Sequence, residues 1–109
     1  MDLISVNYDS RDFDHFVRAL TSHWEDAVEL REQWGTLDPR RRLIYVEDWP
    51  VNNDIHQHLA DYVAGYTLTE DQRERWAELN KLVAAHRKDL EDMGYWVRIS
   101  QTGKDRAVA

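Results

Sequence analysis

The spacing of apolar and polar positions changes period several times along the chain, and each change marks a predicted element. From residue 3 to residue 8, Leu-Ile-Ser-Val-Asn-Tyr alternates and puts Ile4, Val6 and Tyr8 on one face, which predicts a strand. Asp9-Ser10 supplies a helix N-cap. Beyond it Phe13, Phe16, Val17, Leu20, Trp24, Ala27, Val28 and Trp34 recur at three- and four-residue steps, the period of a helix with one apolar stripe. Thr21-Ser22 interrupts the good helix formers, and Ser22 with Glu25 has the Ser-x-x-Glu form of a capping box, so a kink or two successive helices are expected. Gly35 stops this region, with Pro39 beyond it.

Residues 42 to 49, Arg-Leu-Ile-Tyr-Val-Glu-Asp-Trp, carry a short run of β-branched and aromatic types that suits a central strand covered on both faces. Pro50 ends it. Asn52, Asn53 or Asp54 can cap a helix whose inner face is Ile55, Leu59, Tyr62, Val63 and Tyr66. Thr69 with Gln72 makes another capping box, opening a helix that keeps Trp76, Leu79, Val83, His86, Leu90 and Met93 along one side and closes at Gly94. Residues 95 to 100 alternate as a last strand. The expected fold is therefore α/β in the order β-α-α-β-α-α-β, a small three-stranded, mostly parallel sheet packed against three or four helices. Its fall-back is a mostly helical domain with a small hairpin. One domain is expected over residues 1 to 101, with a frayed tail at 102 to 109.

Composition and charge narrow the chemistry. In 109 residues there is no cysteine, which excludes thiol catalysis, CxxC redox chemistry and Cys-based zinc sites. No apolar run is long enough for a transmembrane helix or a signal-peptide core, and a cytoplasmic protein is expected. The formal net charge is −7, which repels nucleic-acid phosphate and favours a basic protein partner. No Lys or Arg occurs between Arg42 and Arg73, whereas Glu47, Asp48, Asp54, Asp61, Glu70 and Asp71 all fall there. Arg40-Arg41-Arg42 is a compact basic feature and reads as a solvated segment.

Little in the sequence supports catalysis. There is no Gly-x-Ser-x-Gly elbow, and the glycines are isolated rather than clustered as a phosphate cradle would need. His56 and His58 point apart on a helix, so they make no metal pair, and His15, His23 and His86 read as boundary residues. An enzyme alternative places Asp9, Glu47 and Asp48, with Gln101, at the carboxyl ends of the strands, where carboxylates can hold Mg²⁺ for phosphoryl hydrolysis. The leading expectation is an interface instead, without catalytic residues, metal or cofactor. Glu25, Glu29 and Glu32 share a helix face with Asp26 beside them, and Trp49 is expected to stand partly exposed as an aromatic anchor. Glu47, Asp48, Asp54 and Asp61 extend this candidate partner-binding set.

In its expected order of elements the chain resembles the barstar type of nuclease inhibitor: a short first strand, helices around Trp24, a strand at Leu43 to Trp49, then a helix and strand over Leu82 to Ser100. The closest local likeness is a charged helix running through Gly94 into Tyr95-Trp96-Val97-Arg98-Ile99-Ser100. The Tyr-Tyr-Gly-x-Asn segment typical of that family is absent, so none of its functional residues carries over. Asp12-Phe13 followed by Leu43-Ile44-Tyr45 is similar to the first helix and Leu-Ile-Tyr-Tyr-Pro segment of colicin-type immunity proteins, departing at Val46, and this likeness implies an all-helical fold. Both resemblances imply an immunity protein or antitoxin that neutralises a basic partner such as a nuclease toxin; a monomer or small homo-oligomer is expected. A phage-encoded inhibitor of a host DNA-binding or defence system and an accessory or scaffold subunit are the remaining alternatives.

Overall fold

The computed structural model describes residues 9 to 98, and these are helical with no strand among them. Helix α1 spans Ser10–Leu30 and runs on into a 3-10 segment, Arg31–Thr36. Helix α2 is Pro39–Asp48, α3 is Pro50–Gly65 and α4 is Glu70–Met93. Neither the expected sheet nor the hairpin of the helical fall-back is present among the described residues. The strand expected at residues 3 to 8, Gln101 and the tail at 102 to 109 lie outside them.

The principal correction falls on residues 42 to 49, which form the body of α2. The decisive signal sits just upstream: the Asp38 side chain accepts the Arg40 backbone N–H at 2.9 Å, and Pro39 occupies the first turn, where a missing N–H costs nothing. Once started, the helix puts Leu43, Ile44 and Tyr45 in solvent rather than inside a sheet. Pro50 likewise opens α3 instead of ending a strand, so α2 and α3 follow one another with only Trp49 between them. Trp49 itself has right-handed helical angles, and Pro50, with no N–H to donate, makes the break. Asn52 and Asn53, expected as caps, are buried on the inner face of α3. Residues 95 to 98 are not in a strand.

At Asp9, Thr69 and Gly94 expectation and structure agree. Asp9 Oδ1 accepts the N–H groups of Arg11 and Asp12 at 2.9 and 3.0 Å, and Asp12 returns a bond to Asp9 N. Thr69 and Gln72 form the reciprocal box of α4. Gln72 is buried and also donates to Ser10 Oγ at 2.8 Å and Asp14 Oδ1 at 3.2 Å, so the start of α4 is tied to the first turn of α1. The region does not divide into two successive helices at Thr21-Ser22: Ser10–Leu30 is continuous, and Thr21 Oγ donates back to Val17 O at 2.7 Å within it.

The core lies where α4 and α3 pack on the apolar stripe of α1. Phe13, Val17, Leu20, Trp24 and Ala27 from α1 meet Leu59 and Tyr62 from α3 and Leu79, Val83 and Leu90 from α4. Each large side chain removed from water there contributes roughly 1.5–3 kcal/mol. Trp49 and Tyr95 close one end of this core.

Gly94 ends α4 at φ 105°, a left-handed angle that suits glycine, and its N–H and that of Tyr95 close the last turn on Glu91 O and Leu90 O. A Cβ placed at Gly94 would meet only Val46 Cγ2 at 3.9 Å, an ordinary contact. Gly94→Ala is therefore expected to cost about 1–2 kcal/mol through backbone strain alone. Urea denaturation checks this as a lower midpoint with an unchanged slope.

Candidate functional site

One cleft of about 470 Å³ opens on the surface between α1 and the α2–α3 joint, a size in the range of ligand sites, roughly 300–1,000 Å³. Its first wall is a flank of α1, where His23, Asp26, Ala27 and Leu30 follow the steps that stack side chains along one side of a helix. Its second wall comes from Tyr45 and Asp48, one turn apart on α2, and from Trp49, Val51 and Asn52 at the joint. Tyr95 completes it.

Partly buried hydrogen bonds hold these walls in place. His23 Nδ1 donates to Asn52 Oδ1 at 2.8 Å, linking α1 to α3 across the cleft. Asn53, beside it and buried, donates from Nδ2 to Trp96 O at 2.9 Å and accepts Arg98 N–H on Oδ1 at 3.1 Å. That pair of bonds fixes the segment after α4, and with it Tyr95, against α3. Trp49 meets Trp24 and Tyr95 edge-on at ring separations of 5.2 and 5.1 Å, and Trp34 stacks obliquely on Tyr95 at 5.5 Å. Burial, then the neighbouring Tyr45, pushes the Tyr95 phenol up to about 12, so it stays neutral at physiological pH.

The cleft is apolar with two formal charges. Both are carboxylates, Asp26 and Asp48, and among the described residues no Lys or Arg lines it. Neither carboxylate makes an ion pair or side-chain hydrogen bond with another described residue.

The expected partner-binding residues divide into three groups. Asp26 and Asp48 are brought together at the cleft. Glu25, Glu29 and Glu32 are exposed on the side of α1 and the 3-10 segment that faces away from the core. Asp26, about 100° round the helix from Glu25, is the acidic residue that turns from that side towards the cleft. Glu47 is exposed on α2 outside the cleft. Asp54 pairs with Arg98 at 3.2 Å and Asp61 accepts from Gln57 at 3.0 Å, both on α3.

Trp49 is a correction: it is 4% exposed and belongs to the core, because a helix rather than a strand carries it inward. The metal alternative is also corrected. Asp9 is committed to capping α1, where the Asp12 backbone N–H above all holds its carboxyl below the ordinary value. Asp9 and the cleft residue Asp26 are seventeen positions apart along one helix, roughly 25 Å. Among the described residues no group of three acidic or histidine side chains could hold a metal ion. Tyr45, Tyr95, His23 and Asn52 are the site residues that sequence reasoning missed. The signal available for one of them, Tyr45, was its spacing from Asp48, informative only once the segment is taken as a helix.

His56 illustrates a buried histidine with a structural task. It stacks on Trp76 at 5.1 Å, and its Nε2–H donates to Asn80 Oδ1 at 2.9 Å while the Asn80 amide donates to Trp76 O. Its Nδ1 is buried and finds no partner among the described residues. Burial pushes the His56 pKa below its ordinary 6.5 despite the Asn80 bond. The unfolded chain therefore takes up this proton more readily than the folded one. Stability is expected to fall as pH drops through about 6.5, by no more than about 1.4 kcal/mol per pH unit from this group. Urea midpoints measured between about pH 7.5 and 5 should show a slope that His56→Phe flattens.

No helix among the described residues is long and apolar enough to cross a membrane. Compared with protein-family models, with curated proteins and with solved structures, the chain has no match.

Proposed function

We propose that this chain is a non-catalytic binding protein that covers a basic surface of a protein partner, in the manner of an immunity protein or antitoxin neutralising a nuclease toxin. One observation carries the reading. Glu25, Asp26, Glu29, Glu32, Glu47 and Asp48 are exposed and unpaired among the described residues, and Arg31, between Glu29 and Glu32 in sequence, is engaged with Asp89 at 2.8 Å. A surface of unpaired carboxylates steers a basic partner in, and these carboxylates stand in for substrate phosphates. The resemblance to colicin-type immunity proteins implies an all-helical fold, and the described residues carry helices and no strand.

The test is a pull-down from the native host with tagged protein at low and high salt, alongside a Glu25/Glu29/Glu32→Lys variant. The expected result is one basic protein, held at low salt, released at high salt and lost in the variant. Capture of nothing, or equal capture by both forms, would overturn the reading.

A further inference from the structure

We infer that the cleft between α1 and the α2–α3 joint receives an arginine side chain of the basic partner, its guanidinium bonded by Asp26 and Asp48 and its plane against the exposed ring of Tyr45. The inference rests on the function proposed above and names the group that the partner must present.

Charge complementarity selects the guest. Among the described residues the only formal charges lining the cleft are the two carboxylates, and each is without a described partner. An anionic guest is repelled. An aliphatic guest would strip water from both carboxylates and return no bond, leaving two unpaired charges at a closed interface, an arrangement that costs several kcal/mol. A cation replaces that water. Between the two biological cations, the surroundings favour arginine. The guanidinium is flat, weakly hydrated and stacks on aromatic faces, and its fork of donors can serve two carboxylates at once, whereas an ammonium is a compact and strongly hydrated point charge. Tyr45 lines the cleft and is 39% exposed, so its ring is open to a guest, while Tyr95 is buried behind it as part of the apolar floor.

The rest of the partner also has a landing surface. Val51 lines the cleft and is more than half exposed, as are Leu43 and Ile44 on α2. Apolar ledges beside a charged, aromatic pocket have the anatomy of a protein interface, in which a central anchor is ringed by groups that exclude water.

A blocked Gly-Gly-Arg-Gly-Gly peptide titrated against the full chain provides the test, followed by tryptophan emission and by the amide resonances of residues 23 to 30 and 45 to 52. Matching peptides carry citrulline, a neutral isostere, or lysine at the central position. The arginine peptide is expected to bind roughly tenfold or more tightly than the citrulline peptide, with lysine between them. Asp26→Asn with Asp48→Asn is expected to remove that preference. Both positions are exposed, so the fold is retained and circular dichroism confirms it. Equal binding of arginine and citrulline, an unaltered preference in the double variant, or no binding of any peptide would each overturn the assignment.

The same variants separate this inference from the reading beneath it. A partner still captured by the Asp26→Asn, Asp48→Asn protein but lost on Glu25/Glu29/Glu32→Lys removes the arginine site and leaves the proposed function standing. A partner indifferent to both sets removes both.

Discussion

Trp49→Ala is expected to destabilise the protein by about 3–5 kcal/mol, the range for deleting a large buried aromatic side chain. Against a typical domain stability of roughly 5–15 kcal/mol, little margin would remain. The size of the effect follows from what the indole touches. It is 4% exposed, meets Trp24 and Tyr95 edge-on, and stands at the single residue between α2 and α3. Removing it opens a cavity that no neighbour can fill without shifting a helix. Trp49→Phe should recover most of the loss, since a ring remains and the buried indole N–H, which finds no partner among the described residues, is removed. Urea unfolding with both variants measures this. A Trp49→Ala midpoint equivalent to within about 0.5 kcal/mol of the parent would instead return Trp49 to the surface as an interface anchor.

The second large effect concerns kinetics. Glu25/Glu29/Glu32→Lys adds six units of charge to a chain of net −7 and inverts the side of α1 that faces away from the core. With the captured partner in hand, its association rate is expected to fall by roughly ten- to a thousandfold at low salt, and the dissociation rate to change much less. The difference should narrow as ionic strength rises past physiological values, where the Debye length is about 8 Å. Stopped-flow association across a salt series reads both trends. A parent rate that barely changes with salt would show that the acidic surface does not steer the partner.

How far the sequence anticipates this molecule depends on the distance over which each feature is encoded. The caps at Asp9, Thr69 and Gly94 need only a few neighbouring residues, and the structure has all three. The shared side of Glu25, Glu29 and Glu32 needs only the helical period. Residues 43 to 46 are different, because a short β-branched and aromatic run reads equally as a buried strand or a helix segment. There the start signal at Asp38-Pro39 outweighs local strand preference. The error then travels: a strand at Leu43 to Trp49 turns Trp49 outward, separates Tyr45 from Asp48 and hides the cleft. Even with α2 assigned, the site would be incomplete. Tyr95 reaches it only because Asn53, forty-odd residues earlier, bonds the backbone of residues 96 and 98, a pairing that no local spacing records.

Helix α2 contributes no fully buried residue, although Tyr45 and Asp48 form part of one cleft wall. Detaching it exposes little apolar surface, so the free energy of its opening lies well below that of global unfolding. The break at Pro50 confines such an opening to ten residues and leaves the packed stripe of α1 undisturbed. Entry and exit of a guest are thereby uncoupled from the integrity of the domain, and the lifetime of a complex would be governed by how firmly the guest holds one light helical arm closed.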